Sequence, residues 1–230
     1  MRLLDLFCGA GLAADGYASV GFEVVGVDIN PQPNYPYEFH QGDAMAWWGR
    51  GEARKFDAIH ASPPCQLFTR AKHLRDAQGG RSKELVDLLT PTLDILNNFY
   101  RNIPWVVENV ENARPLMSGA VRLCGSAFHL QVQRHRLFAS NVPLRGTDCH
   151  HERFPLDPVT GKPRPWGVYH VPGDSIPKGG RTARDAEHAR EVMGARRSLP
   201  WASIKEGFPP AYTAHVGADI LMATAWSAAA

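Results

Sequence analysis

Ser62-Pro63-Pro64-Cys65 follows directly on the apolar run Phe56-Asp57-Ala58-Ile59-His60-Ala61. A strand that ends in a Pro-Pro turn holds the next side chain rigidly at the edge of a sheet, because each ring fixes its own φ. Here that side chain is a thiol, and a thiolate is suited to covalent addition at an electron-poor carbon. Carbon 6 of cytosine is such a carbon, and addition there makes carbon 5 nucleophilic. The plain alternative is a small buried hydrophobe, since free cysteine is often structural. Upstream, Asp5-Leu6-Phe7-Cys8-Gly9-Ala10-Gly11 closes the first apolar segment in a glycine turn. Glycines there let backbone approach a ligand at the carboxyl edge of a sheet, where doubly wound folds bind nucleotides. Gly9-x-Gly11-x-x-Ala14 also matches a relaxed dinucleotide fingerprint, with Asp28 ending the second apolar run where an acid can bond ribose hydroxyls. A nicotinamide enzyme therefore competes here with a user of S-adenosylmethionine. Two details favour the latter: Asp5 precedes the glycines, where it suits the amino group of a methionine moiety, and no hydride-transfer residue stands out downstream. Asp43, in Gln41-Gly42-Asp43, is placed either to meet an adenine amine or to cap the next helix.

Apolar runs alternate with helical patterns through the first half, the signature of a doubly wound parallel sheet. Strands are expected over 2–7, 22–28, 38–41, 56–61, 105–109, 120–124 and 136–139, and helices over 12–20 and 82–102. In the second helix Leu85, Leu88, Leu89, Leu93, Leu96 and Phe99 recur at helical spacing, and Pro91 is expected to kink or break it. Residues 66–81 are polar and basic, and read either as a loop closing over substrate or as plain surface. From 141 to about 180 the composition turns to Pro, Gly, His and Arg with little periodicity; helical pattern returns at 182–193 and in the apolar run 216–226. The expected organisation is an α/β catalytic and cofactor-binding domain over 1–140, a reduced recognition lobe over 141–190, and a helical segment over 191–230 that returns to the first domain.

With 44% hydrophobic and 21% charged residues among 230, the chain has the composition of a globular protein with one sizeable core, and no apolar stretch is long enough for a bilayer. The opening Met1-Arg2-Leu3-Leu4-Asp5 reads as a strand and not as a leader. Four cysteines (Cys8, Cys65, Cys124, Cys149) without such a leader suggest free thiols in a reducing, cytoplasmic setting. A net charge of +2 neither demands nor excludes a polyanion, although basic residues gather at Arg134 to Arg136, Lys178 to Arg184, Arg190, Arg196 and Arg197. Cys149-His150-His151 with Cys124 or His170 matches no established finger spacing, and no metal is expected. Trp166, Tyr169 and Trp201 suit base stacking and small-lobe core equally well. A monomer is expected.

Downstream of Cys65 come Glu108-Asn109-Val110 at a strand end and Arg134-His135-Arg136-Leu137-Phe138 at the start of another. With the glycine turn and the Pro-Pro-Cys, their identities and order resemble the DNA cytosine-5 methyltransferase family. The similarity covers about the first 140 residues and resumes at Met193-Gly194 and Pro209-Pro210-Ala211-Tyr212-Thr213, which look like the ending of small phage-encoded members. The resemblance implies a Rossmann-like class I methyltransferase sheet with a small, irregular target-recognition lobe. It also implies S-adenosylmethionine as cofactor, S-adenosylhomocysteine as product, and DNA, duplex or single-stranded, as partner. Cys65 is then the nucleophile, Glu108 activates the base at nitrogen 3, and Arg134 and Arg136, alternating along a strand, position it. The cofactor falls to Asp5, Phe7, Cys8, Gly9, Ala10, Gly11, Asp28, Ile29, Asp43, Ala44 and Pro63, and the substrate to Pro64, Gln66, Thr69, Arg70 and Asn109. Burial should raise Glu108 above about 4.3, and the arginines should lower Cys65 from about 8.5. A tRNA-directed branch shares these motifs, and a non-catalytic binding homologue is a third possibility. Two departures stand out: Val132 lies where the family carries Gln, with Gln133 shifted by one, and the recognition region is short, so specificity should be short or relaxed. In a phage, the product would mask sites from host nucleases.

Overall fold

Aliphatic runs with both neighbours buried demand strands in the middle of a sheet, and Leu3, Leu4, Leu6, Val24, Val25 and Val27 are all buried. The computed structural model describes residues 1–49, 51–68, 85–149, 169–171 and 181–229. Strands β1 (Arg2–Leu6), β2 (Glu23–Asp28), β3 (Glu38–Gln41), β4 (Ala58–Ala61), β5 (Trp105–Val110), β6 (Val121–Leu123) and β7 (Arg136–Ser140) form one sheet, ordered β3-β2-β1-β4-β5-β7-β6. β1 to β5 run parallel, and β7 lies antiparallel between β5 and β6. A two-residue ladder of β8 (Tyr169–His170) and β9 (Arg181–Thr182) stands apart. The helices are α1 (Leu12–Ser19), α2 (Ala44–Gly49), α3 (Leu89–Phe99), α4 (Ala186–Val192), α5 (Trp201–Glu206) and α6 (Pro210–Ala229). This is a doubly wound, Rossmann-like α/β sheet with one antiparallel strand.

The seven expected strands are present with slightly shifted bounds, but the helices differ. The helix expected over 82–102 starts, within the described residues, only at Leu89, because Asp87 Oδ1 accepts from the N–H groups of Leu89 and Thr90 and sets its first turn. Pro91 therefore sits in that first turn, where a missing N–H costs no hydrogen bond, and does not break the helix. The pattern over 182–193 resolves into β9 and the shorter α4, whose cap is Asp185 accepting from His188 N at 2.8 Å. The terminal apolar run is the middle of a longer helix that Pro210 opens.

Period two sorts the sheet into faces. Leu4, Leu6, Val25, Val27, Ile59, Ala61 and Val107 pack with Trp48 of α2 and Leu89 and Leu96 of α3. Leu3, Val24, Ala58, Val106 and Phe138 pack on the other face with Tyr17 of α1 and Tyr212, Val216 and Ile220 of α6. The same alternation places Asp5, His60 and Glu108 on this second face. α1 and α6 approach backbone to backbone there: Thr213 Oγ1 donates to Ala13 O at 2.8 Å, and a Cβ on Gly16 would lie 2.1 Å from Pro210 O.

Candidate active site

The chain runs outward from β1 to β3 in one direction and from β4 to β5 in the other, so the sheet reverses between β1 and β4. In register, Leu6 is opposite Ala61, which brings the glycine turn after β1 beside the Pro-Pro-Cys after β4 at the carboxyl edge. Ser62 N donates to Leu6 O at 3.1 Å and fixes that adjacency.

Phe7, Gly9 and Gly11 all have positive φ (60°, 50° and 86°), and for Phe7 this is a strained, left-handed backbone that only its neighbours enforce. Asp28 is one of those neighbours. Its Oδ2 accepts from Gly9 N at 3.0 Å and its Oδ1 from Asn30 N at 2.9 Å, so it organises the turn as well as ending β2. Arg197, which the sequence offers as a polyanion contact, instead donates to Ala10 O at 2.8 Å and bridges to Asp15, bracing the turn from outside. Arg190 is likewise tied to Glu187.

Asp5 is fully buried, and its Oδ1 has no hydrogen-bond partner. Burial, reinforced by the charges of Asp28 and Asp15 and eased by the Tyr35 hydroxyl 3.5 Å from Oδ2, pushes its carboxyl up to about 8. A buried acid with one oxygen unpartnered, beside a glycine turn, fits a cationic ligand group. Ile29 is 66% exposed at the same edge and offers an apolar face, while a Cβ on Gly9 would meet nothing within 4 Å, leaving space over the turn. Asp43 N-caps α2 through Oδ1 and Met45 N at 2.8 Å, and is itself exposed beside buried Ala44.

Cys65 is half-buried between exposed Pro64 and Gln66. Pro63 behind it is buried, and its carbonyl accepts from Asn109 Nδ2 at 3.0 Å, so Asn109 braces the loop. Glu108 forms a buried ion pair with Arg136, Oε1 to Nε 2.8 Å. Val110 faces Arg136 across the antiparallel pair, and Glu108 is its diagonal neighbour on the same face, which is why the two meet. Burial raises Glu108, as expected, with Arg136, Ser62 and Arg134 opposing. The expectation for Cys65 is corrected: burial raises its thiol, and although Arg136 and Arg134 lower it, Glu108 works with burial and the net direction is up.

Arg134 also departs from expectation. It lies before β7 and not on it, and its guanidinium donates to Val171 O at 2.7 Å and Lys205 O at 2.5 Å, tying the segment around β8 and α5 to the arginine motif. Its Nε is buried without a partner. Val132, where the resemblance leads to an expected Gln, is fully buried against Gly125. Thr69, Arg70, Trp166, His150 and His151 lie outside the described residues, as do the side chains of Tyr169 and His170.

Sequence reasoning missed a buried polar chain behind Glu108. Tyr17 Oη lies 3.0 Å from His60 Nδ1, and His60 Nε2 lies 2.8 Å from Ser62 Oγ, which in turn bonds Glu108. Burial lowers His60 to about 3, so the ring is neutral, with one donor and one acceptor nitrogen. Assigned from this network, Ser62 donates to Glu108, His60 Nε2–H donates to Ser62, and Nδ1 accepts from Tyr17. The signal was present: His60 and Ser62 are two apart and so share a face. Sequence reasoning weighed Cys149 with Cys124 as a metal set but missed His135; the ligand atoms of Cys124, His135 and Cys149 lie within 4.8 Å of one another.

A family model for C-5 cytosine-specific DNA methylase matches residues 1–119. A probable DNA (cytosine-5)-methyltransferase of Frog virus 3 is 30% identical over 125 residues, half of this chain and 56% of that protein. A tRNA (cytosine(38)-C(5))-methyltransferase of Schizosaccharomyces pombe is 31% identical over 48% of this chain and 36% of its own length. The match to a putative type II methyltransferase of Methanocaldococcus jannaschii covers 57% of that protein, so the chain spans about half the length of these relatives or less. Among solved structures, the S. pombe Dnmt2 methyltransferase superposes with a TM-score of 0.54 at 13% identity, covering 97% of this chain and 98% of that one. Entamoeba histolytica methyltransferase EhMeth gives 0.58 at 12%, covering 96% and 98%; at such identities the likeness speaks to the fold. No helix among the described residues is long and apolar enough to cross a membrane. With the motif residues gathered at one sheet edge and over half its length matched by the family model, the chain belongs to the C-5 cytosine-specific DNA methylase family.

Proposed function

We propose that this chain methylates carbon 5 of cytosine in DNA through a covalent adduct between Cys65 and carbon 6. The observation that carries the reading is the convergence of Cys65, Glu108 and Arg136 beside the glycine turn of β1. S-adenosylmethionine, when bound, supplies a methyl group on a positively charged sulfur. Asp5 suits its amino group, Asp28 its ribose hydroxyls, Ile29 its adenine face, and the backbone of residues 7–11 its close approach.

Cys65 attacks carbon 6 as a thiolate, forming a sulfur–carbon bond while the 5,6 double-bond pair moves toward carbon 5 and nitrogen 3. Glu108, protonated, places a proton at nitrogen 3 and neutralises the charge that develops there. Arg136 holds Glu108 in position and stabilises the thiolate. Carbon 5 then takes the methyl group that the bound cofactor supplies; loss of the carbon 5 proton to a base restores the 5,6 double bond and expels Cys65 as thiolate, and the nitrogen 3 proton returns to Glu108. Because Cys65 must be deprotonated and Glu108 protonated, the working pair holds one proton between them, and the pH–rate profile is bell-shaped. An intrahelical cytosine must leave the stack to reach Cys65, at a few kcal/mol. A recognition lobe confined to 141–190 supports short or relaxed specificity.

The S. pombe tRNA enzyme gives a specific second reading, RNA as substrate. The deciding experiment is transfer of labelled methyl from S-adenosylmethionine to duplex DNA, single-stranded DNA and tRNA by the native chain and Cys65→Ala. Label on DNA that disappears with Cys65→Ala supports the proposal. Label on tRNA alone moves the substrate to RNA, and no Cys65-dependent label on any of the three overturns the catalytic reading. Glu108→Gln is expected to lower the rate about 10²–10⁴-fold, the usual worth of a positioned proton donor.

A further inference from the structure

We propose that Cys124, His135 and Cys149 form a zinc site that pins the segment following β7 to the sheet edge carrying the arginine motif. Among the described residues this is the one group of three side chains able to share a metal ion, and its ligand atoms lie within 4.8 Å of one another. Cys149 Sγ is 3.3 Å from His135 Nε2, and Cys124 is fully buried. Zinc bonds of about 2.3 Å to sulfur and 2.0 Å to nitrogen make tetrahedral edges of about 3.5–3.8 Å. Rotamer adjustments of the order of 1 Å therefore close the three donors around one ion, with the fourth position taken by water or another donor. Two thiolates and an imidazole are soft and borderline ligands, which favour zinc over calcium or magnesium.

The backbone brings these residues together without the metal. Leu123 pairs with Arg136 across β6 and β7, so the next positions outward are Cys124 and His135. The third ligand arrives on the strap after β7, which is held at two points before it reaches the site. Thr147 N donates to Arg122 O at 3.1 Å, and Arg145 bonds the nearly buried Asp219 of α6. Ligands held in place by other bonds lose little freedom on binding, which is the condition for a tight site.

The position explains what the ion would do. His135 stands between Arg134 and Arg136, and Cys149 falls within residues 141–190, the stretch read as the recognition lobe. An ion there joins the arginine segment to that lobe, adding a link beyond the apolar contacts of Leu123, Val142 and Leu144. The role is structural, and the site is independent of the chemistry proposed for Cys65.

The test is zinc content of the full chain, stripped with a chelator under reducing conditions and then returned to equimolar zinc. One zinc per chain is expected for the native protein and for Cys65→Ala, with a rise in melting temperature on zinc addition. Cys124→Ser, Cys149→Ser and His135→Ala should each lose stoichiometric zinc and that rise. Cobalt uptake should show thiolate-to-metal absorption in the native chain and not in Cys149→Ser, whose half-buried position tolerates the change if Cys124→Ser does not fold. No stoichiometric uptake by the reduced native chain overturns the site, as does zinc retained by all three variants. A Cys124–Cys149 disulfide with no uptake after reduction overturns it in favour of a redox pair.

Discussion

Replacing Arg136 by leucine tests the electrostatic design of the site directly. The Arg136–Glu108 pair is 2.8 Å long with its side chains only 12% and 8% exposed, so removing one partner strands a charge that solvent cannot reach. Breaking such a pair costs about 3–5 kcal/mol where the remaining group stays charged. Glu108 has an escape, however, because it can take up a proton. Its folded-state pKa is already raised, so its contribution is fully present below the unfolded value of about 4.3 and is lost as pH rises through the folded value. The variant moves that folded value further up. At about 1.4 kcal/mol per pH unit, a penalty of about 3–5 kcal/mol extends the window of loss by ~2–4 units. Urea unfolding of both proteins from about pH 5 to about pH 9 should show a small difference at the acid end that grows with pH at up to about 1.4 kcal/mol per unit. Asp5, which also titrates, is present in both proteins and cancels in the difference. Arg136 lowers Cys65 as well as Glu108, so both limbs of the variant's pH–rate profile should move upward. A stability difference that is flat with pH, or largest at low pH, would refute the reasoning.

Three further outcomes are expected. Ser62→Ala removes the donor to Glu108 and a partner of His60, costing about 1–3 kcal/mol in stability and shifting the acid limb of the pH–rate profile upward; an unmoved limb would show that Ser62 only packs. Binding of S-adenosylhomocysteine below about pH 8 should release up to one proton, because the ligand's cationic amino group ionises the raised Asp5. Calorimetry in buffers of different ionisation enthalpy reads that number, and Asp5→Asn should abolish both the release and most of the affinity. Gly16→Ala gains about 1 kcal/mol of helix propensity but sets a methyl 2.1 Å from Pro210 O and from Thr213 Oγ1. Backbone on the far side cannot yield, so the melting temperature should fall, and an unchanged or raised value would mean that α6 is not held as closely as described.

The sequence by itself determined the strands and their order along the chain, because apolar runs broken by a single residue, Leu3-Leu4-Asp5-Leu6 and Val24-Val25-Gly26-Val27, suit the centre of a sheet. It also determined which residue types the chemistry needs, since a thiol after Pro-Pro, an acid at a strand end and a glycine turn each carry a local physical reason. Helix starts were harder: Asp87 and Asp185 outweigh hydrophobic periodicity by capping nearby N–H groups, and periodicity does not see caps. What only the tertiary structure decided is partnership. Arg136 and Arg134 look equivalent in sequence, yet strand pairing sets one against Glu108 and turns the other to the carbonyls of Val171 and Lys205. Arg197 reads as a surface cation until the fold brings it to Asp15 and Ala10, more than 180 positions away. Burial, likewise a property of the assembled core, reversed the direction expected for Cys65, because desolvation outweighs two nearby arginines. His135 joins Cys124 and Cys149 for the same reason: an antiparallel ladder and a returning strap create a neighbourhood that no linear spacing records.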